Sequence, residues 1–234
     1  MGKDLKISRR TLLAATGGAL INIGLPGVFT RLSKAEQSGP AAGERADGRP
    51  RLPPGQVAVQ RIEYMGGKPG TATVANWSMR VHGEVEKPTI FSFQDLLSLA
   101  QVDITCDIHC VTGWSLLDSQ WSGVCLETIL ERVRPRENGA FVIFQAAAGY
   151  TSNVPMAVAK QKDSILAHSF YGERLPKELG APVRVVIPDL YFYKSAKWLE
   201  AIKVASEDEP GYWERRGYSN SADPWKEQRY SGDR

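Results

Sequence analysis

The run Asp103–Ser115, D-I-T-C-D-I-H-C-V-T-G-W-S, places two thiols and an imidazole within five residues. The spacing of Cys106 and Cys110 is C-x3-C, which is neither the C-x2-C of a redox pair nor that of a zinc knuckle. Val102–Cys110 alternates, with Val102, Ile104, Cys106, Ile108 and Cys110 on one side and Asp103, Thr105, Asp107 and His109 on the other, as in a strand. On such a strand the two thiols lie about 13 Å apart at about 3.3 Å per residue. A disulfide needs Cα atoms within about 7 Å, so neither a bridge nor a shared metal is expected. Cys110 stands where the alternation gives way to a turn, Val111-Thr112-Gly113. Two readings fit it: a small buried hydrophobe, or a soft thiolate presented to a redox metal. Neighbouring strand residues face opposite ways, so His109 would act beside such a metal as a hydrogen-bonding support and not as a second ligand. Cys125 reads as a buried thiol.

The elements that would position these groups are mostly strands. Trp77–Val85 alternates with Trp77, Met79 and Val81 on one side, and Phe141–Ala146 and Val183–Pro188 read as buried strands. Ser92 can cap a short helix, Phe93–Ala100, whose Phe93, Leu96, Leu97 and Ala100 share a face. Leu126–Val133 has helical spacing at Leu126, Ile129, Leu130 and Val133. Interspersed elements without strict βαβ alternation predict an α+β fold with mixed β-sheets.

At 234 residues, 42% of them hydrophobic and 24% charged, the chain is long enough for a sizeable core. Its first 35 residues read as a twin-arginine export signal: Arg9-Arg10 directly precede a Gly/Ala-rich apolar run. Asn22 and Pro26 interrupt that run, which makes it a poor membrane span. Ser33-Lys34-Ala35 offers a cleavage site; an uncleaved anchor is the alternative. Residues 1–35 hold six of the Lys/Arg and one acid, which leaves 23 basic and 25 acidic residues beyond them, a net of −2 against +3 for the whole. The basic balance therefore belongs to the export segment, and a nucleic-acid surface is not expected. Residues 36–55, rich in Gly, Pro, Ala and charge, read as a flexible leader, and 56–234 as one domain. Export of a folded protein raises the expectation of a bound cofactor and predicts a periplasmic location.

C-D-I-H-C-V-T-G-W-S, followed by W-S-G-V-C-L-E-T-I-L, resembles the molybdopterin-binding domain of the sulfite oxidase family, nearest its small haem-free bacterial members. Gly180–Pro188, Lys194–Leu199 and Trp213–Tyr218 resemble further family signatures in the same order, over roughly 56–229. The resemblance implies the sulfite-oxidase-type fold and a molybdenum-molybdopterin cofactor with Cys110 as the protein ligand of the metal. It implies that Arg184, with Ser195, Ala196 and Lys197, holds the pterin phosphate. A phosphate is also a sufficient partner for an arginine inside an apolar run. Tyr218 matches a tyrosine beside the metal's oxygen, His109 a group that orients or donates, and Arg61 an arginine near pterin or substrate. Tyr150 and Thr151 are expected at the pocket, whereas Asn153 reads more readily as a turn residue than as a contact.

The departures are as informative. Thr112, Gly113, Trp114 and Ser115 replace a basic run, so an aromatic stands where a cation would attract a small dianion. Leu179 replaces a polar cofactor-binding residue, and Gly217 precedes Tyr218 where an acid is common. With the chain ending soon after Trp225, neither a haem domain nor an immunoglobulin-like dimerisation domain is expected. Electrons would then pass through a separate partner, a membrane haem protein or soluble cytochrome. The expected activity is oxygen-atom or two-electron transfer on S- or N-oxides, methionine sulfoxide among them. The alternatives are sulfite oxidation, a cofactor-free secreted binding module, and a thiol–disulfide protein using Cys106 and Cys110.

Overall fold

A computed structural model describes residues 43–233. In chain order these form β1 (Val57–Val59), β2 (Ser78–Gly83), β3 (Thr89–Ser92), α1 (Phe93–Ser98), β4 (Val102–His109), β5 (Trp114–Cys125), α2 (Leu126–Val133), β6 (Phe141–Ala146), β7 (Tyr150–Pro155), α3 (Met156–Ala159), β8 (Ile165–Phe170), β9 (Glu173–Arg174), β10 (Arg184–Val186) and β11 (Leu199–Ala205). One sheet runs β1-β5-β8-β10, with β4 also on β5 and β9 on β8; the other runs β3-β2-β11-β6-β7. Parallel pairs (β1–β5, β2–β11) sit among antiparallel ones, so both sheets are mixed and the class is α+β.

Alternation along the strands builds two cores. Leu166 and Val185 face a large cluster shared with Met79, Val81, Phe144, Ile202 and the buried face of α2, Leu126, Ile129, Leu130 and Val133. Their neighbours Ile165, Ala167 and Val186 face the other way, into a cluster with Ile108, Cys110, Trp114, Leu116 and Trp121. That second cluster is closed by loop residues Ile62, Leu175 and Leu179.

The elements depart from the sequence expectations in three places. The helix after Ser92 ends at Ser98, and Leu97 points to solvent, because only Leu96 of its middle turn reaches the core. The strand expected over Val183–Pro188 is confined to Arg184–Val186. Of the segment 36–55 read as a flexible leader, the described residues 43–55 are a strap tied to the domain. Arg45 and Arg49 pair with Asp189, and Arg51 makes two hydrogen bonds to buried Asp107, at 2.9 and 2.6 Å. Charge and glycine content read as solvation there, whereas the partners stand far along the chain. The export segment lies outside the described residues. No described helix is long and apolar enough to cross a membrane.

The β4–β5 ladder carries one irregularity that bears on the site. Its register shifts between Cys106 and Ile108, opposite a left-handed Asp118 whose N–H donates to Asp107 Oδ1 at 2.9 Å. Such a bulge bends the pair just before the end that carries Cys110.

Candidate active site

Cys110 follows the last residue of β4 and opens a tight turn. Its N–H donates to Trp114 O (2.8 Å), and the Gly113 N–H returns to Cys110 O (3.0 Å). Gly113 sits at φ +107°, a conformation that other residues rarely adopt. Three further segments grip this turn. Val57 N–H donates to Gly113 O, Gln56 Nε2 to Cys110 O at 3.0 Å, and Arg229 Nη1 to Val111 O. Gly55, at φ +67°, has no room for a Cβ, which would fall 3.0 Å from Arg229 Nη2 and 2.8 Å from Glu227 Oε1. The turn is thus a rigid mount assembled from the two ends of the domain.

The mount presents one thiol. Cys110 is 6% exposed, with its Sγ 3.0 Å from the Thr112 hydroxyl. Burial pushes the thiol pKa up and Glu63 adds to that, while Thr112 and Arg229 pull the other way. Cys106, Cys110 and Cys125 are all unpaired thiols, so the structure holds no bridge for a thiol–disulfide mechanism. Among the described residues no three His, Cys, Asp or Glu side chains converge as a metal site. A metal held at Cys110 must therefore bring most of its own ligands, which suits a chelated metal and not a bare ion.

His109 lies on the opposite side of the strand end, fully buried. Its Nδ1 is 2.8 Å from Ser115 Oγ, which donates to Gln56 Oε1, and Gln56 in turn holds the Cys110 carbonyl. Its ring meets Trp225 edge-on at 5.1 Å, and its Nε2 is buried without a partner. Burial lowers its pKa to about 4, against an upward pull from Asp107, so it is neutral near pH 7. The geometry makes it a prop behind the turn. Trp114, expected at an open mouth, points into the second core at 5% exposure, because the first residue of β5 has its inward face there. Its buried Nε1 also lacks a partner.

A second constellation gathers the other residues singled out in the sequence. Arg184 is 1% exposed and, among the described residues, has no carboxylate partner; its Nε, Nη1 and Nη2 donate to the carbonyls of Val185, Leu179 and Ser195. Its guanidinium lies over Phe192 at 4.1 Å and Trp121 at 5.3 Å. Burial lowers its pKa to about 9. Lys197 lies next to it, since a Cβ on Gly180 would be about equally close to Arg184 Cβ (3.0 Å) and Lys197 Cα (3.1 Å). Burial and then repulsion from Arg184 lower the Lys197 pKa to about 8. Among the described residues its Nζ donates to the carbonyls of Gly66 and Glu178 and lies over the Trp198 ring at 4.3 Å. Ser195 and Ala196 join the group but face inward: Ser195 Oγ accepts from Ile187 N–H, and Ala196 O from Val185 N–H. Among the described residues neither of these neighbouring cations forms an ion pair, each meeting carbonyls and aromatic rings, and a phosphate would be a suitable partner for the pair. The lone thiol and these cations both fit a molybdopterin.

Tyr218 is half-buried among the rings of Trp213, Tyr193 and Tyr230, at 5.1–5.5 Å. It connects to the thiol turn through the tail, because Ser219 N–H donates to Arg229 O while the Arg229 side chain grips Val111. Arg61 is exposed, and its neighbour Ile62 packs in the same cluster as Cys110. Half-buried Tyr150 donates to Tyr193 O, the Thr151 hydroxyl is buried without a partner among the described residues, and Asn153, on strand β7 and not in a turn, joins a buried network. There Asn153 holds Lys194 through both its oxygens, and Lys194 pairs with Glu214 at 2.5 Å. Sequence reasoning missed Arg229, Gln56 and Glu63 at the turn, and Lys194–Glu214 behind it. Only the last pair carried a signal, as charges inside two recognised motifs.

A family model described as the oxidoreductase molybdopterin binding domain matches residues 65–213. The "Uncharacterized oxidoreductase YuiH" of Bacillus subtilis is 39% identical over 88% of this chain and 99% of its own. The protein-methionine-sulfoxide reductase catalytic subunit MsrP of Burkholderia mallei is 31% identical, with 62% of this chain and 48% of MsrP covered. The putative subunit YedZ1 of the same activity, from Azospira oryzae, is 32% identical over 62% of this chain and 55% of its own. The chain therefore spans YuiH almost whole but only about half of the methionine-sulfoxide reductase subunits. Among solved structures, the sulfane dehydrogenase SoxCD from Paracoccus pantotrophus shares the fold at a TM-score of 0.55 and 22% identity, covering 62% of this chain and 41% of that one. With the turn thiol and the uncompensated cations in place, these matches show that the chain belongs to the oxidoreductase molybdopterin binding domain family, with the sulfite-oxidase-type fold, and is a molybdopterin-dependent oxidoreductase.

Proposed function

We propose that the chain is the catalytic protein of a molybdenum-dependent reductase of S- or N-oxides. Cys110 would be the single protein ligand of the metal, and Arg184 and Lys197 would hold the pterin phosphate. The observation that supports this reading is the Cys110 turn, one thiol on a tightly hydrogen-bonded mount, with no group of three metal-binding side chains converging among the described residues. The bound group would supply two-electron oxygen-atom chemistry: a sulfoxide takes up two electrons and two protons and leaves as thioether and water.

The chain's own residues shape what reaches that sulfur. Thr112 is exposed at the turn and offers a hydroxyl to a substrate oxygen. Arg229 and exposed Glu63 act on the thiol with opposite sign, so the surroundings are dipolar. A neutral, strongly polar S=O or N–O bond suits such a mouth better than a small dianion, which Glu63 repels. Methionine sulfoxide is the favoured substrate, in keeping with the relatives named for its reduction. His109, through Ser115 and Gln56, would keep the turn in register, and Tyr218 would orient the substrate oxygen. Arg61 would meet pterin or substrate only at the rim. Electrons would come from a separate carrier, a membrane haem protein or soluble cytochrome, and the twin-arginine segment would place the enzyme in the periplasm.

Arg229 gives specific support to a second reading, sulfite oxidation with electrons passed to a cytochrome, because it supplies a cation that the residues after Cys110 lack. Metal-loaded protein assayed side by side with methionine sulfoxide, trimethylamine N-oxide and sulfite, using a viologen or ferricyanide reporter, separates the two. Sulfoxide reduction is expected to exceed sulfite oxidation in kcat/KM by at least tenfold; the reverse order would replace the first reading by the second.

A further inference from the structure

The segment that carries Tyr218 also builds a surface that the proposed chemistry does not use. The Arg216 guanidinium lies 3.5 Å over the Tyr212 ring and donates to Tyr212 O at 2.8 Å. Tyr212 meets Trp213 at 5.2 Å, and Trp213 and Tyr230 both meet Tyr218. Trp213 is 36% exposed and Tyr230 55%. Arg215 is exposed and anchored by one bond to Pro210 O. Among the described residues neither Arg215 nor Arg216 forms an ion pair, so most of their five N–H groups face solvent.

Several acids of the same segment are engaged, Asp208 with Asn153 and Asn220 among them, while Glu207 is exposed. Glu214 is buried on Lys194, Glu209 pairs with Lys203, and Asp233 accepts from the N–H groups of Arg229 and Tyr230. The result is an exposed patch of stacked Tyr, Trp and Arg, the residue types that dominate protein–protein hot spots. Stacking fixes Arg216 before any partner arrives, which lowers the entropy cost of docking. The patch is positive on a chain whose residues beyond 35 carry a net −2, so it is a local feature able to select an acidic partner. It adjoins the site, since Tyr230 pairs with Tyr218 and follows Arg229, which grips Val111 beside Cys110.

We propose that the face formed by Tyr212, Trp213, Arg215, Arg216 and Tyr230 docks an acidic protein, the separate electron carrier of the proposed function. The inference rests on that function for the need of a carrier, and on charge complementarity for its chemistry. Flavodoxin, a small acidic one-electron protein, stands in for the haem carrier as the probe of the face's preference for an acidic surface. Fluorescently labelled flavodoxin is titrated with the full chain at low and at moderate ionic strength, with anisotropy as the readout. Wild type is expected to bind at low ionic strength and to weaken as salt rises. Arg215→Glu/Arg216→Glu should weaken binding at least tenfold and leave turnover with reduced benzyl viologen, which needs no dock, unchanged.

Absent wild-type binding overturns the proposal, and so does binding that the charge reversal does not alter. Arginine-dependent capture of phosphatidylglycerol vesicles without flavodoxin binding overturns it too, by making the face a lipid contact. An equal loss with benzyl viologen would show the arginines acting on the site itself and would also overturn it. A wild-type chain that binds flavodoxin but holds no molybdenum would sink the proposed function and leave the docking face standing.

Discussion

Arg184 and Lys197 are the residues whose placement is hardest to explain by stability alone. Placing the half-buried Lys197 ammonium beside the fully buried Arg184 guanidinium is unfavourable: burial lowers both pKa values and Arg184 lowers that of Lys197 further, against a smaller upward pull from Glu178. Between about 8 and the ordinary lysine value of 10.5, the unfolded chain holds a proton at Lys197 that the folded chain has lost. In anion-free buffer, cofactor-free protein should therefore gain stability as pH rises through that window. Sulfate should act in the opposite sense, stabilising most below pH about 8, where Lys197 is charged, and less above it. The gain should be about 1.4 kcal/mol at ten times its dissociation constant. Thermal melts of wild type and Lys197→Met across pH 6.5–10 check this; a sulfate effect that persists in the variant contradicts it. At this scale the turn at Cys110 was legible, because the end of an alternating run and a following glycine are local signals. Arg229 was not: its contact with Val111 spans 118 positions, and nothing in the residues after Cys110 announces a cation supplied by the tail.

The turn Phe192–Lys194 joins the pieces at the scale of elements. Phe192 stacks on Arg184, Tyr193 donates to Ser219 O and packs on Tyr218, and Lys194 holds Glu214. The cation site and the Tyr218 segment are thus fixed by one short element. Lys194 is wholly buried, so removing its partner leaves a stranded charge. Glu214→Leu should cost about 3–5 kcal/mol of unfolding free energy, and Glu214→Leu/Lys194→Met should recover most of that. Urea denaturation measures both; a single variant costing under about 1 kcal/mol would show that the pair is not a latch. The helices and strands themselves were largely readable. Met79 and Val81 are buried as their alternation predicts, and α2 buries its four apolar positions. Leu97 misled because a one-and-a-half-turn helix has too narrow a buried stripe for two adjacent leucines. The bulge at Asp118 left no trace in the pattern, since it depends on the register of β5 against β4.

For the molecule as a whole, the two ends of the described chain close on each other over the thiol turn. Trp225 lies under Arg49 at 3.9 Å and Arg45 at 4.7 Å, donates to Pro50 O, and meets His109 edge-on. Residues read as a loose leader are therefore part of the frame behind the site, and only long-range pairing reveals it. These contacts brace the turn that presents Cys110, the proposed ligand of molybdenum. X-ray absorption at the molybdenum edge, with metal quantification, on wild type, Cys110→Ser and Cys125→Ser tests it most directly. Near-stoichiometric molybdenum is expected in wild type and Cys125→Ser with the same sulfur shell. Cys110→Ser should lose one sulfur from that shell, or lose the metal, while the fold stays intact by circular dichroism. An unchanged sulfur shell and metal content in Cys110→Ser would contradict the account.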